Sequence, residues 1–166
     1  MKTIDELKDE KGQIDSNGIK QIIPYEIPFL MIDRVLVLDK NKIVAIKNAG
    51  ANDDYFKGHF AGFPIMPGAL IVEGMGQAGT LLSRYNIENH SEKEVLAYKI
   101  KEAKFSAPAF PGDQLKYEVT LMGQDERGAM LQAKAIVNDK VIAECMLMLA
   151  VVDRKQFRSQ YSPVYK

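Results

Sequence analysis

The sequence predicts an α+β domain in which a curved antiparallel β-sheet wraps one long central helix. Three observations predict it. Period-two alternation of apolar residues recurs in two runs before residue 50 and in four runs after residue 94. Between the two groups stands one long helical segment whose first half is almost wholly apolar. Within each group the runs are separated by short turns, and short connections pair neighbouring strands antiparallel.

Each element has its own warrant. Residues 1–17 read as a polar arm; Ile4, Leu7 and Ile14 give only faint helical spacing, compatible with a frayed helix or with disorder. The domain then runs over 18–153, and 154–166 is a basic, weakly patterned tail. "SNGIKQIIPYEIPFL" predicts a short helical turn ended by Pro24, then an extended approach through Pro28. "MIDRVLVLDKNKIVAIKNAG" predicts a hairpin about Asp39-Lys40-Asn41-Lys42, with Val35 and Val37 alternating on one arm and Ile43 and Ala45 on the other. Pro67 and Gly68 open the long helix, where a missing proline N–H costs nothing, and it continues to about Tyr85. Gly74, Gly76 and Gly79 inside it cost roughly 1 kcal/mol each against alanine, so close approach of a sheet backbone is expected there. The end, "SRYNIENHSEKE", is polar and leads toward the surface. "EVLAYKIKEAKF", "QLKYEVTLMGQ", "AMLQAKAIV" and "KVIAECMLMLAVV" supply the remaining strands, with turns at "DERG" and Asn138-Asp139. A single helix without a polar face must be wrapped by the sheet. This is the hot-dog arrangement. Its open edges invite pairing with a second copy, so a homodimer at least is expected.

Composition excludes several function classes. The 166 residues suffice for one domain with a substantial core. Lysine and arginine number 22, aspartate and glutamate 22, so there is no broad electrostatic grip for nucleic acid. One cysteine, Cys145, forms no internal disulfide, and with two histidines it cannot complete a four-ligand zinc site. The N-terminus lacks a signal-type apolar region, and no apolar run approaches a membrane span. A cytoplasmic setting is expected.

The chemistry concentrates in "YFKGHFAGFPIMPGALIVEGMGQAG", residues 55–79. His59 lies in a glycine- and proline-rich loop; such a histidine is as often structural as catalytic. Glu73 is surrounded along the helix by Ala69, Leu70, Ile71, Val72, Gly74, Met75 and Gly76, with only Gln77 one turn on as a polar partner. A desolvated carboxyl tends to keep its proton, whereas a neutral imidazole accepts one. Two groups pushed toward opposite duties are what acid–base chemistry requires. At Gly68, free N–H groups of the helix start suit a developing oxyanion. Base, acid and oxyanion donor together fit proton abstraction beside a carbonyl, coupled to loss or addition of water at the next carbon.

These residues carry a family pattern. "GHFAGFPIMPGALIVEGMGQ" resembles the motif GHFPGxPxMPGVLIxEAMAQ of the FabZ-type 3-hydroxyacyl-[acyl-carrier-protein] dehydratases. "IIPYEIPFLMIDRV" resembles LLPHRYPFLLVDRV, and "AKFSAPAFPGDQL" resembles ARFKRPVVPGDQL, so the likeness spans about residues 18–152. The resemblance implies removal of water from a (3R)-3-hydroxyacyl thioester on acyl carrier protein to give the trans-2-enoyl thioester in fatty-acid elongation, without cofactor or metal. His59 matches the catalytic base and Glu73 the catalytic acid, contributed by opposite subunits of a dimer, with a trimer of dimers as the larger assembly left open. Gly68 matches the glycine whose N–H binds the thioester carbonyl, and Gln77 the glutamine that hydrogen-bonds near the acid. Related FabA-type enzymes carry aspartate at the acid position, so Glu73 leans to the FabZ side. The acyl chain is expected in an apolar tunnel lined by Phe60, Phe63, Ile65, Met66 and Met75. A hot-dog thioesterase and a non-catalytic carrier-binding subunit are the alternatives.

The sequence departs from the pattern at Ala61, at Gly74 and Gly76 in place of alanines, at Tyr25 and Glu26 in place of His-Arg, and at Lys101 in an acidic position. Lys99, Lys101 and Lys104, with Arg154 or Arg158, form either a patch for an acidic carrier or a solvated strand face beside a basic tail. Cys145 is expected in the core, His90 on the surface, and "CMLMLAVV" in the sheet.

Overall fold

The computed structural model describes residues 3–162. Seven strands form one antiparallel sheet: β1 (Ile14–Asp15), β2 (Arg34–Leu38), β3 (Lys42–Asn48), β4 (Lys93–Phe105), β5 (Gln114–Gln124), β6 (Gly128–Val137) and β7 (Lys140–Asp153), in the order β1-β2-β3-β5-β6-β7-β4. Four helices accompany them: α1 (Ser16–Ile22), α2 (Tyr55–Gly58), α3 (Gly68–Tyr85) and α4 (Arg154–Tyr161). Six of the strands and the long helix are those expected. The seventh, β1, lies within the stretch read as a polar arm.

Turn chemistry sets the hairpins. Asp39 Oδ1 accepts the N–H groups of Asn41 and Lys42 at 2.7 and 2.9 Å, closing β2 onto β3. Asn138 and Asp139 adopt φ of 48° and 62° between β6 and β7, left-handed geometry that asparagine and aspartate tolerate. Strand β3 pairs with β5, so the first hairpin joins the later strands directly. The chain reaches the far edge only after α3, where β4 pairs with β7.

Helix α3 crosses the sheet, touching β3, β4, β5, β6 and β7. Ile71, Met75, Ala78, Leu81 and Leu82 are buried against a core that includes Leu115, Tyr117, Val119, Leu131 and Leu147. Each of the leucine, isoleucine and methionine side chains contributes roughly 1.5–3 kcal/mol by leaving water. Cys145 sits in this core, and burial pushes its thiol up to about 11.

Several expectations need correction. The helix is not buried on every side. Ala69 is exposed, and Val72, Glu73 and Gly76 are half-buried. These positions form one stripe at spacings of three and four, which the sheet of one chain leaves open. Edge strand β4 is likewise exposed on both faces from Ala97 to Phe105. Nor does sheet backbone account for the helical glycines. Gly74 leaves room for the Tyr117 ring, Gly79 for the Leu131 side chain, and nothing lies within 4 Å of a Cβ built on Gly76.

The end of α3 turns inward, not out. Ser83 and Arg84 are buried at 0% and 1% exposure. Arg84 donates from Nη1 to His90 O at 2.6 Å and from Nη2 to Lys93 O at 3.2 Å, and stands 3.7 Å from Glu94. Folding of 86–93 around that guanidinium leaves His90 half-buried instead of on the surface. Arg154 and Arg158 close on the same glutamate at 3.1 and 2.7 Å, so they dock α4 onto β4. The tail is thus helical through Tyr161; residues 163–166 lie outside the described ones. The arm is also part of the fold. Ile4 and Ile14 are buried, Ile14 pairs with Val35, and Lys8 reaches Leu38 O and the Tyr85 hydroxyl, each at 3.2 Å. A few apolar residues inserted between polar ones leave too weak a period to signal this. Among the described residues no helix is long and apolar enough to cross a membrane.

Candidate active site

His59 follows α2 and begins the loop that feeds α3. Its Nδ1 lies 2.9 Å from the Ile65 carbonyl oxygen, and Ile65 N–H returns a bond to His59 O at 3.0 Å. A carbonyl can only accept, so Nδ1 carries a proton, and in the neutral tautomer this selects, the lone pair is on Nε2. Between these contacts Phe60 and Phe63 exchange backbone bonds across Ala61 and Gly62, and Gly62 has φ of +78°, a conformation suited to glycine. The Phe60 ring lies 4.3 Å from the imidazole, centroid to centroid.

Glu73 stands on the open stripe of α3. Burial raises its pKa above the usual carboxylate value, and the hydrogen bond from Gln77 opposes part of the rise. That bond runs from Gln77 Nε2 to Glu73 Oε1 at 3.0 Å. Gln77 is itself fixed from both sides: Nε2 donates to Phe29 O at 2.8 Å, and Oε1 accepts from Met31 N–H at 2.8 Å. The amide therefore has one orientation, and one Glu73 oxygen is left to carry a proton. No hydrogen bond or ion pair joins His59 to Glu73 within the chain.

Gly68 is the first residue of α3. Pro67 O accepts from the N–H groups of Leu70 and Ile71 at 2.9 and 3.2 Å. The N–H groups of Gly68 and Ala69 find no acceptor among the described residues, as expected at a helix start. Here they stand beside the loop that carries His59. No group of three or more potential ligands able to hold a metal ion occurs among the described residues.

An imidazole held through Nδ1, a carboxyl with a raised pKa and unpaired N–H donors thus lie on one loop and the helix it enters. The FabA-like domain model matches residues 23–146, which include all of them. The FabZ 3-hydroxyacyl-[acyl-carrier-protein] dehydratase of Koribacter versatilis (strain Ellin345) is 40% identical over 149 residues, covering 89% of this chain and 96% of the relative. The chain belongs to the FabZ-type dehydratases of the FabA-like family. Solved structures agree in fold. The ApeI:P dehydratase heterocomplex of Xenorhabdus doucetiae superposes with a TM-score of 0.73 at 16% identity, over 87% of this chain and 97% of that one. The thioesterase HI1161 of Haemophilus influenzae reaches 0.63 at 15% identity, over 82% and 90%. Both likenesses concern the hot-dog fold alone.

The other residues singled out from the family pattern fall in two places. Phe60 and Phe63 are 55% and 59% exposed and Ile65 is half-buried, all on the loop. Met66 and Met75 lie in the core at 2% and 0% exposure. A cavity of about 630 Å³ beside this face has other walls, chiefly Ile27 to Asp33, Tyr55 and Leu70. Leu70 is one turn before Glu73, and Phe29 is held by Gln77. The FabZ-type departures also find their places. Tyr25 packs on Phe29 with centroids 5.6 Å apart and lies within the field of Glu73, which helps to raise its pKa after burial. Gly74 does not widen the site, because the Tyr117 ring occupies the space a methyl would take. Of the basic patch, Lys99, Lys101 and Lys104 are exposed, whereas both arginines are bound to Glu94. The part played by Phe29 had one sequence signal, the "IPFL" that matches the family's "YPFL". Its backbone bond to Gln77 had none.

Proposed function

We propose that this chain dehydrates 3-hydroxyacyl thioesters carried on acyl carrier protein, yielding the 2-enoyl thioester in fatty-acid synthesis. Its sequence relatives are enzymes of that name at about 40% identity. The observation that carries the mechanism is the complementary state of the two groups: a fixed Nδ1–H tautomer at His59 and a raised pKa at Glu73. Nε2 of His59 takes the α-proton. The electron pair moves to the thioester oxygen, where the free N–H of Gly68 stabilises the enolate. The pair then returns to form the α,β double bond as the β-carbon–oxygen bond breaks. Glu73 gives its proton to the departing hydroxyl, and water leaves; addition of water retraces these steps. Gln77 keeps the Glu73 carboxyl in register.

Two copies complete the site in this reading. The open stripe of Ala69, Val72, Glu73 and Gly76, the unpaired β4 edge with exposed Tyr98, Ile100 and Phe105, and the exposed Phe60 and Phe63 are what a second chain would cover. His59 of one copy then faces Glu73 of the other. Phe60, Phe63, Ile65, Met66 and Met75 are proposed to border the acyl tunnel, and Lys99, Lys101 and Lys104 to meet the acidic carrier.

The test is an assay of 3-hydroxyacyl-carrier substrates over a range of chain lengths, with mass spectrometry separating 2-enoyl from 3-enoyl products. Loss of 18 mass units at one or more lengths is expected (~18 for water, at turnover in the usual enzyme range). Release of free carrier thiol would replace this reading with a thioesterase. Tight carrier binding without turnover at any length would leave a binding subunit.

A further inference from the structure

Phe105 ends β4 and is 54% exposed, yet its ring is not loose on the surface. It lies against Gly68. A Cβ built on that glycine would stand 2.7 Å from Phe105 Cε1, 3.0 Å from Cδ1 and 3.1 Å from Cζ, closer than carbon atoms pack. Alanine keeps the backbone N–H of glycine, so the N–H alone does not explain why position 68 lacks a side chain. The ring does.

The segment after Phe105 braces the same loop at two further points. Ala109 O accepts from Met66 N–H at 2.8 Å, and the Phe110 ring meets Phe63 edge-on at 5.6 Å and 83°. This segment is tied to the sheet at both ends. Ser106 N–H bonds Ile142 O at 2.7 Å, Gly112 N–H bonds Ala49 O at 2.7 Å, and Ala49 N–H bonds Asp113 O at 2.8 Å. A frame anchored in the sheet therefore holds the loop at Phe63, Met66 and Gly68, and Phe105 is the part of it that meets Gly68.

We propose that Phe105 is a positioning residue for the oxyanion site at Gly68. Its ring fixes where α3 begins, and so where the Gly68 and Ala69 N–H groups point. It also keeps water off one side of them. A donor held in place and screened from water stabilises a developing charge more than a solvated, mobile one. This inference rests on the dehydratase reading, since it assigns Gly68 the enolate oxygen.

The experiment compares the full chain with Phe105→Ala, Phe105→Leu, Gly68→Ala and the Gly68→Ala/Phe105→Ala double variant. Each is measured for hydration of a crotonyl thioester and for thermal unfolding. Phe105→Ala is expected to lower kcat about 10- to 100-fold, less than loss of a whole oxyanion donor, with KM little changed. Phe105→Leu, which restores apolar cover, should regain much of that loss. Gly68→Ala should be slow and should melt lower than wild type. The double variant should melt higher than Gly68→Ala and be no slower than it, because the ring that clashes with the new methyl is gone. Near-normal kcat in Phe105→Ala, a loss confined to KM, or multiplied losses in the double variant would overturn the proposal. A wild-type protein inactive on every thioester would instead sink the dehydratase reading. Melting of the double variant at or below that of Gly68→Ala would still separately refute the packing of Phe105 on Gly68.

Discussion

Gln77 and Glu73 form a one-way arrangement: the amide points an N–H at Glu73 Oε1 because its two other bonds, to Phe29 O and Met31 N–H, leave it no second orientation. Through Gln77, the Glu73 carboxyl is positioned by the backbone of a loop more than forty residues earlier in the chain. Gln77→Ala should therefore act on both stability and catalysis. It leaves the buried Met31 N–H unpaired, at a cost of about 1–3 kcal/mol, and frees the part-buried Phe29 carbonyl. It also removes the bond that restrains the rise in the Glu73 pKa. Urea unfolding measures the first effect. A shift of the alkaline side of the dehydration rate profile to higher pH measures the second, and an unshifted profile would show that Gln77 does not tune the Glu73 carboxyl.

His59→Ala and Glu73→Gln should each lower enoyl hydration by about 10²–10⁴-fold, the usual worth of a positioned base or acid. Because neither residue bonds the other within a chain, the two variants test the two-copy site directly. Mixing the two inactive variants allows mixed dimers in which one site keeps both His59 and Glu73, so partial activity should return. An inactive mixture whose subunits are shown to exchange would place both residues in one chain.

Glu73 should also mark the pH dependence of stability. Its folded pKa is raised, so between the unfolded and folded values the native state binds the extra proton and stability falls as pH rises. The contribution is fully present below the unfolded carboxyl value and is lost once pH passes the raised one. Glu73→Gln cannot ionise, so its denaturation midpoint should decline less over that window than that of the wild type. Parallel curves for the two proteins would remove the argument that burial holds the proton on Glu73.

Much of this was legible in the sequence, and what was not has a physical pattern. The strands and α3 announce themselves by local period, and the His59 loop by its glycines and prolines. The stripe left open on α3 did not show, because apolar neighbours look the same whether the sheet or a second chain covers them. Arg84 was misread as surface for the opposite reason. A charged residue signals exposure until the carbonyls of His90 and Lys93 and the carboxylate of Glu94 are folded around it. Phe105 against Gly68, and Gln77 against residues 29–31, are long-range contacts that no local pattern encodes.

The Glu94 cluster carries its own prediction. This carboxylate is the shared counter-charge of buried Arg84 and of Arg154 and Arg158 on α4. Glu94→Gln would leave a guanidinium of 1% exposure without its counter-ion, a change that typically costs about 3–5 kcal/mol. α4 buries no side chain, so with the ion pairs gone it should also come away from β4. A lower unfolding midpoint, together with faster amide exchange in 154–161, is the expected result. Unchanged exchange there would show that other contacts hold the helix.

Gly74 and Tyr117 are matched in size across the helix–sheet contact, and the match makes a double test. A methyl at position 74 would clash with the hydroxyl end of the Tyr117 ring, so Gly74→Ala should destabilise by about 1–3 kcal/mol through overpacking, despite the better helix propensity of alanine. The Tyr117 hydroxyl is fully buried and has no hydrogen-bond partner among the described residues, and burial raises its pKa. Removing that oxygen takes away an unpaired polar group and loosens the contact. Tyr117→Phe should thus be neutral or stabilising by about 1 kcal/mol. Tyr117→Leu in the Gly74→Ala background should recover part of the lost stability, because the smaller side chain vacates the space the methyl needs. Chemical denaturation of the wild type, Gly74→Ala, Tyr117→Leu and their double variant measures the coupling. Purely additive effects would mean that the two residues do not share the space assigned to them, and that Gly74 serves something else on α3.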